Sequence, residues 1–168
     1  LTIADSGSCG ITIRSGTSAA GSIYFSDATS GAAEYDGAII YNQSSQFMDF
    51  YTAQSQRIRI DSNGRVGVNT AVMSNANAGF DDLVVRGSDG GNSGITILSG
   101  TTSAQGTVAF ADGTNGNETY AGYLQYQHNT NKLIIGAGAA DQVSIEDSNV
   151  ELLDCDLVMS NGRGISFA

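Results

Sequence analysis

Hydrophobic and polar side chains alternate at every second position through much of the chain, in short runs separated by Gly, Ser, Asn and Asp. That period is the signature of β-strands joined by tight turns. The clearest case is Arg57 to Thr70, two alternating runs hinged on Asp61-Ser62-Asn63-Gly64. Setting Asp61 opposite Arg65 predicts a hairpin whose loop Ser62-Asn63-Gly64 closes a type I turn, with Gly64 in the left-handed conformation of a G1 bulge. Ile60 then faces Val66 and Ile58 faces Val68 on one side. Arg59 and Arg57 lie on the other side, opposite Gly67 and Asn69, so one face is apolar and the other wet.

Upstream, the same alternation predicts a meander. Ala38 to Asn42 turns through Gln43-Ser44-Ser45-Gln46 into Phe47 to Thr52, which turns through Ala53-Gln54-Ser55 into Gln56 to Asp61. This register sets Ile39 against Phe50, Tyr41 against Met48, Phe50 against Ile58 and Met48 against Ile60, a continuous apolar face across four strands. Before the meander, Gly10 to Arg14 and Gly21 to Asp27 read as another strand pair. Residues 71–80 have no clear period and read as a connector.

The pattern then recurs. Gly10-Ile11-Thr12-Ile13 returns as Gly94-Ile95-Thr96-Ile97, and Gly21 to Asp27 returns as Gly106 to Asp112. The apolar face returns with it, as Leu124, Tyr126, Leu133, Ile135, Val143 and Ile145. Asp156-Leu157-Val158-Met159 and Gly164-Ile165-Ser166-Phe167 echo Asp82-Leu83-Val84-Val85 and Gly94-Ile95-Thr96-Ile97, the start of a third copy. The expected organisation is a first module over 1–70, a connector over 71–81, a second module over 82–153 and a truncated third over 154–168. A period this long, holding several hairpins, reads as small β-modules strung along an axis.

Composition sharpens this picture. Gly at 22 of 168 with no Pro fits many turns and excludes collagen and proline-rich linkers. Large apolar side chains are sparse, so an isolated chain has little to set against the roughly 1–2 kcal/mol of backbone entropy lost per ordered residue. Burial between chains relieves that shortage. A net charge of −10 without a basic cluster argues against nucleic acid as a partner. No apolar run reaches the roughly 20 residues of a membrane-spanning helix, so membrane insertion is not expected. Cys9 and Cys155 stand alone, outside metal-binding spacings; they read as two reduced small residues, with an interchain disulfide as the alternative.

Candidate chemistry is thin. Asp27 and Asp112, with Glu34, Asp36 and Glu118 nearby, are the best-placed carboxylates for a glycan-cleaving pair, and the plainer reading makes both Asp residues turn residues at strand ends. His128 aligns with Gln43 in a hairpin loop, which leaves no triad and no histidine metal site. Asp61-Ser62-Asn63-Gly64 starts like a calcium loop but lacks the closing Glu. Tyr41 and Tyr126 fall in step with the apolar face, whereas Tyr35 and Tyr120 lie beside loops, where they could stack on sugars. No catalytic residue, metal or cofactor is expected.

The run Arg57-Ile58-Arg59-Ile60-Asp61-Ser62-Asn63-Gly64-Arg65-Val66-Gly67-Val68-Asn69-Thr70 resembles a signature of tail-fibre proteins of tailed bacteriophages, particularly marine cyanophages. Gly10 to Thr17 and Gly21 to Asp27 are similar to repeats that precede it there. The resemblance implies an all-β, elongated, homotrimeric fibre shaft, side by side or intertwined, located in the virion and extracellular after release. It implies contact with a host-surface glycan or protein, and often a self-cleaving chaperone domain further along the full-length protein. A microbial surface or secreted adhesin filament is the alternative, and a polysaccharide-degrading tailspike the third. The second copy departs from the signature: Ile145-Glu146-Asp147-Ser148-Asn149-Val150 has no turn glycine, and its closing hairpin is expected to differ.

Overall fold

The structure, a computed structural model, describes residues 6–87, 91–154 and 156. It is all-β, with eleven strands and three short 3-10 turns among those residues. The chain falls into two compact units, Leu1–Ile95 and Thr96–Ala168. The start of the third copy lies outside the described residues, apart from Asp154 and Asp156.

In the first unit, β1 (Ala20–Phe25), β2 (Gly37–Asn42), β3 (Phe47–Thr52), β4 (Ser55–Ile60), β5 (Val66–Val68) and β6 (Leu83–Val85) form one sheet in chain order. The alternation sets its register as expected: Ile39 pairs with Phe50, Tyr41 with Met48, Phe50 with Ile58, Met48 with Ile60, Ile58 with Val68 and Ile60 with Val66. The Asp61 turn closes as the glycine dictates. Gly64 has φ 82°, its N–H donates to the Asp61 carbonyl at 3.0 Å, and the Asp61 N–H donates to the Arg65 carbonyl at 3.0 Å. The β3–β4 connection is the two-residue turn Ala53-Gln54, both at positive φ, which matches the right-handed twist of the paired strands.

Two expectations fail here. Gly10 to Arg14 does not pair with β1. A tight turn, Ala19 N–H to Gly16 carbonyl at 3.0 Å, lifts the segment out of the sheet plane and onto its face. The missing side chain of Gly21 leaves room there for Ile13, whose Cγ2 would lie 3.3 Å from a Cβ at that position. The second failure is the connector, which is a packed crossover. β6, which the repeat places at the start of the second module, pairs parallel to β5 and completes the first sheet. A parallel neighbour cannot follow through a tight turn, so residues 69–82 must travel back along one face. Met73, in the 3-10 turn Met73–Asn75, is 2 % exposed.

The second unit repeats the plan with β7 (Gln105–Phe110), β8 (Gly122–Gln127), β9 (Lys132–Ala137), β10 (Ala140–Ile145) and β11 (Val150–Leu152). Leu124 pairs with Ile135, Tyr126 with Leu133, Ile135 with Val143 and Leu133 with Ile145. Its closing hairpin does form, by a different turn. Glu146 N–H donates to the Asn149 carbonyl at 2.9 Å, and Ile145 pairs with Val150.

Candidate functional site

Each sheet has two unequal faces, and the buried one is the face the sequence assigned to water. In the first unit Ala38, Asp49 and Gly67 are buried, together with Thr70, Met73 and Asp81 of the crossover. Small residues on that face let the crossover approach closely. In the second unit Tyr123, Ile134, Gly136 and Ser144 are buried, again on the side opposite the apolar stripe.

The expected core is instead a surface within the single chain. Ile58 and Ile60 are each 37 % exposed, and Tyr41, Leu124, Tyr126, Leu133, Ile135 and Ile145 are also exposed. Ile39, Met48, Phe50, Val66, Val68 and Val143 are half-buried. Ile23 and Phe25 of β1 and Leu83 of β6 extend the stripe to both edges of the first sheet, and Val108, Phe110, Val150 and Leu152 do so in the second. Alternation put these side chains on one side correctly, but within each unit the cover on that side is slight: Ile13 lies over Gly21 in the first and Ile97 over Gly106 in the second, and the rest of the stripe stays open.

On the covered face, charge is tied down by short bonds. Arg59 donates from Nε and Nη2 to the two Asp49 oxygens at 2.7 and 2.6 Å, while its guanidinium carbon stands 3.6 Å from the Phe47 ring centroid. The Asp49 bond raises the Arg59 pKa. Burial pushes the Tyr51 hydroxyl up as well, and the Asp49 carboxylate adds to that. Arg65 joins two carboxylates, with Nε 2.8 Å from Asp61 and Nη1 2.5 Å from Asp81. Asp61 also accepts the backbone N–H groups of Asn63 and Arg65 at 2.9 and 3.0 Å. Burial alone would raise the Asp61 pKa, but these donors hold it below the ordinary value. The turn reading of Asp61 therefore accounts for both of its oxygens.

In the second unit the Tyr123 ring covers Gly136 and its hydroxyl donates to Asp141. That bond, with burial and the Asp141 charge behind it, pushes the Tyr123 pKa from 10.0 up to about 12. A folded-state pKa above the unfolded one means the native protein holds the proton more tightly. The contribution is full below about pH 10 and is lost as pH rises through about 12. Urea unfolding of the second unit should show that loss, and Tyr123→Phe should flatten stability across the same window.

The remaining candidates do not gather into a reacting site. In the loop after β1, Ser26 makes the turn bonds, its Oγ donating to the Ala28 carbonyl at 2.6 Å. The Asp112 N–H donates to the Glu118 carbonyl at 3.0 Å. Glu34 belongs to the 3-10 turn Ala32–Tyr35, and the Asp36 Oδ1 accepts from Gln54 Nε2 at 2.6 Å. His128 lies edge-on to Tyr126, ring centroids 5.0 Å apart, and Tyr120 donates its hydroxyl to Asn117 Oδ1 at 3.0 Å. Cys9 is exposed and Cys155 lies outside the described residues. Among the described residues no group of three His, Cys, Asp or Glu side chains is placed to hold a metal ion, and no helix is long and apolar enough to cross a membrane.

The chain matches no family profile, and no curated protein or solved structure matches it. Function must therefore be argued from the two faces themselves. The feature that sequence reasoning missed is the covered face. Its signal was Gly67 in the middle of a strand, since glycine there marks a close approach of other chain.

Proposed function

We propose that this chain is a repeating module of a homotrimeric β-fibre shaft, of the kind its sequence resembles in phage tail fibres, which carries host attachment mechanically and catalyses nothing. The supporting observation is the apolar stripe left open on both sheets. Contiguous exposed apolar surface of this extent marks an association surface, and obligate interfaces between like chains are large and apolar. The stripe appears twice in one chain with the same residue types at equivalent positions. A foreign partner would have to match it twice, whereas parallel copies of the chain present the same series at the same spacing. The open faces then turn toward a shared axis, and the covered faces lie away from it.

Sedimentation equilibrium tests this reading. The expected mass is three times the 17.3 kDa chain. Ile58→Glu with Ile60→Glu should give a monomer that keeps its β-sheet circular dichroism. Both positions are partly open in the single chain, but an interface would strand the carboxylates at a cost of several kcal/mol each, taking the effective penalty for a buried unpaired ion. A wild-type monomer, or a doubly substituted chain still sedimenting as a trimer, would refute it.

A further inference from the structure

On the face opposite the open stripe, the first unit has a hollow of about 320 Å³ lined by Tyr24, Tyr35, Ala38, Ile40, Tyr51 and Gln54. Tyr24 and Tyr35 meet edge to face, ring centroids 5.0 Å apart and planes at 72°. Gln54 sits at φ 60° in the β3–β4 turn. Its side chain is held there by Asp36, Nε2 to Oδ1 at 2.6 Å, and its N–H donates to the Asp36 carbonyl at 3.1 Å.

The second unit shows which of these groups the fold requires. It has the same strand register, yet Ala109 stands where the first unit has Tyr24, Ala121 for Asp36, Gly136 for Tyr51 and Ala139 for Gln54. The structural bond survives without the side chains, as Ala139 N–H to the Ala121 carbonyl at 3.1 Å. The Tyr24 wall and the amide–carboxylate pair of the first unit are therefore additions to a scaffold that folds without them, whereas the Tyr51 ring is replaced in the second unit by that of Tyr123 from the neighbouring strand.

We propose that Tyr24, Tyr35 and Tyr51, with Gln54 and Asp36, form a binding site for a neutral pyranose ring of an oligosaccharide. Tyrosine offers a flat apolar ring with a polar edge, which suits the C–H face of a sugar and one of its hydroxyls. The Gln54 amide, which lines the hollow and is held in place by the Asp36 carboxylate, adds a polar group for a further hydroxyl. The same carboxylate and the net charge of −10 repel acidic sugars. The volume lies at the small end for ligand pockets, about 300–1,000 Å³, which suits one or two rings. All the groups belong to one chain, so the site is independent of trimer formation.

The test is NMR titration of the full chain with cellohexaose, maltohexaose and chitohexaose, and with hexagalacturonate as the acidic control. The expected result is saturable shifts at Tyr24, Tyr51 and Gln54 with at least one neutral hexaose, in the millimolar range for so small a site. Tyr24→Ala and Gln54→Ala each install the residue the second unit already carries, so folding is preserved, and each should weaken binding by about tenfold. Three outcomes would overturn the site: no saturable shift with any neutral hexaose, equal affinity in both variants, or equal affinity for hexagalacturonate. None of them would bear on the sedimentation result.

Discussion

Asp49→Ala should destabilise the first unit by about 3 kcal/mol, the low end of the cost of breaking a buried ion pair. Asp49 is 1 % exposed at the centre of β3, and its two oxygens take both arms of the Arg59 fork. Truncation would leave a guanidinium stacked on Phe47 with its partner gone. Arg59 keeps a 19 % exposed side chain, so water offsets part of the loss. The second unit supplies the control, because Ile134 and Ser144 occupy the equivalent pair. Asp49→Ile combined with Arg59→Ser should therefore recover most of what Asp49→Ile alone loses, a coupling of about 2 kcal/mol. Recovery will be incomplete, since Ser144 Oγ is itself buried without a hydrogen-bond partner. Urea unfolding with amide exchange on β3 and β4 measures the cycle. A single substitution costing less than about 1 kcal/mol, or a double variant no better than Asp49→Ile, would show that the pair is not what holds this face together.

That face explains how far the sequence could be read. Register was legible because a slip of one residue would throw Ile58, Ile60, Val66 and Val68 to the wrong side, and because Gly64 fixed the turn. Which face would be covered was not legible. Alternation assigns sides, but it carries no information on whether a second layer exists within the chain. The crossover that supplies the cover has no period, and its anchors are scattered: buried Thr70 and Met73, and Asp81 in its ion pair with Arg65. β6 is three residues long and pairs parallel to a strand well before it in sequence, so no turn signal announces it. Gly10 to Arg14 has the alternation of a strand, yet the Gly21 gap draws Ile13 onto the sheet face. In the second unit the aromatic moves across one strand pair. Tyr51 faces Ala38 in the first, and Tyr123 faces Gly136 in the second. Bulk is kept while position is not, and aligning the copies residue by residue conceals that exchange.

Gly67→Ala is expected to cost about 3 kcal/mol, the upper end for overpacking a well-filled site. A Cβ at Gly67 would run into the Thr70 carbonyl, stand 2.6 Å from Met73 Sδ and approach Thr70 Cγ2 to 3.1 Å. The methionine can swing away, but the backbone carbonyl cannot without moving the crossover. Displacing the crossover weakens what it carries, including the Arg65–Asp81 ion pair and the bonds that dock β6, Val66 N–H to the Asp82 carbonyl at 2.8 Å and Arg86 N–H to the Val68 carbonyl at 3.1 Å. Amide exchange at Val66 and Arg86 should therefore accelerate together in the variant, ahead of Ile58 and Ile60. Adding Met73→Ala should restore only part of the stability, because the carbonyl contact remains. At the equivalent place in the second unit, Glu151 pairs with Ser144 as Gly67 pairs with Arg59. A side chain is already accommodated there, and Glu151→Ala should stay within about 0.5 kcal/mol of the parent. A Gly67→Ala chain as stable as the parent, with β6 still protected, would mean that the crossover does not rest on that glycine.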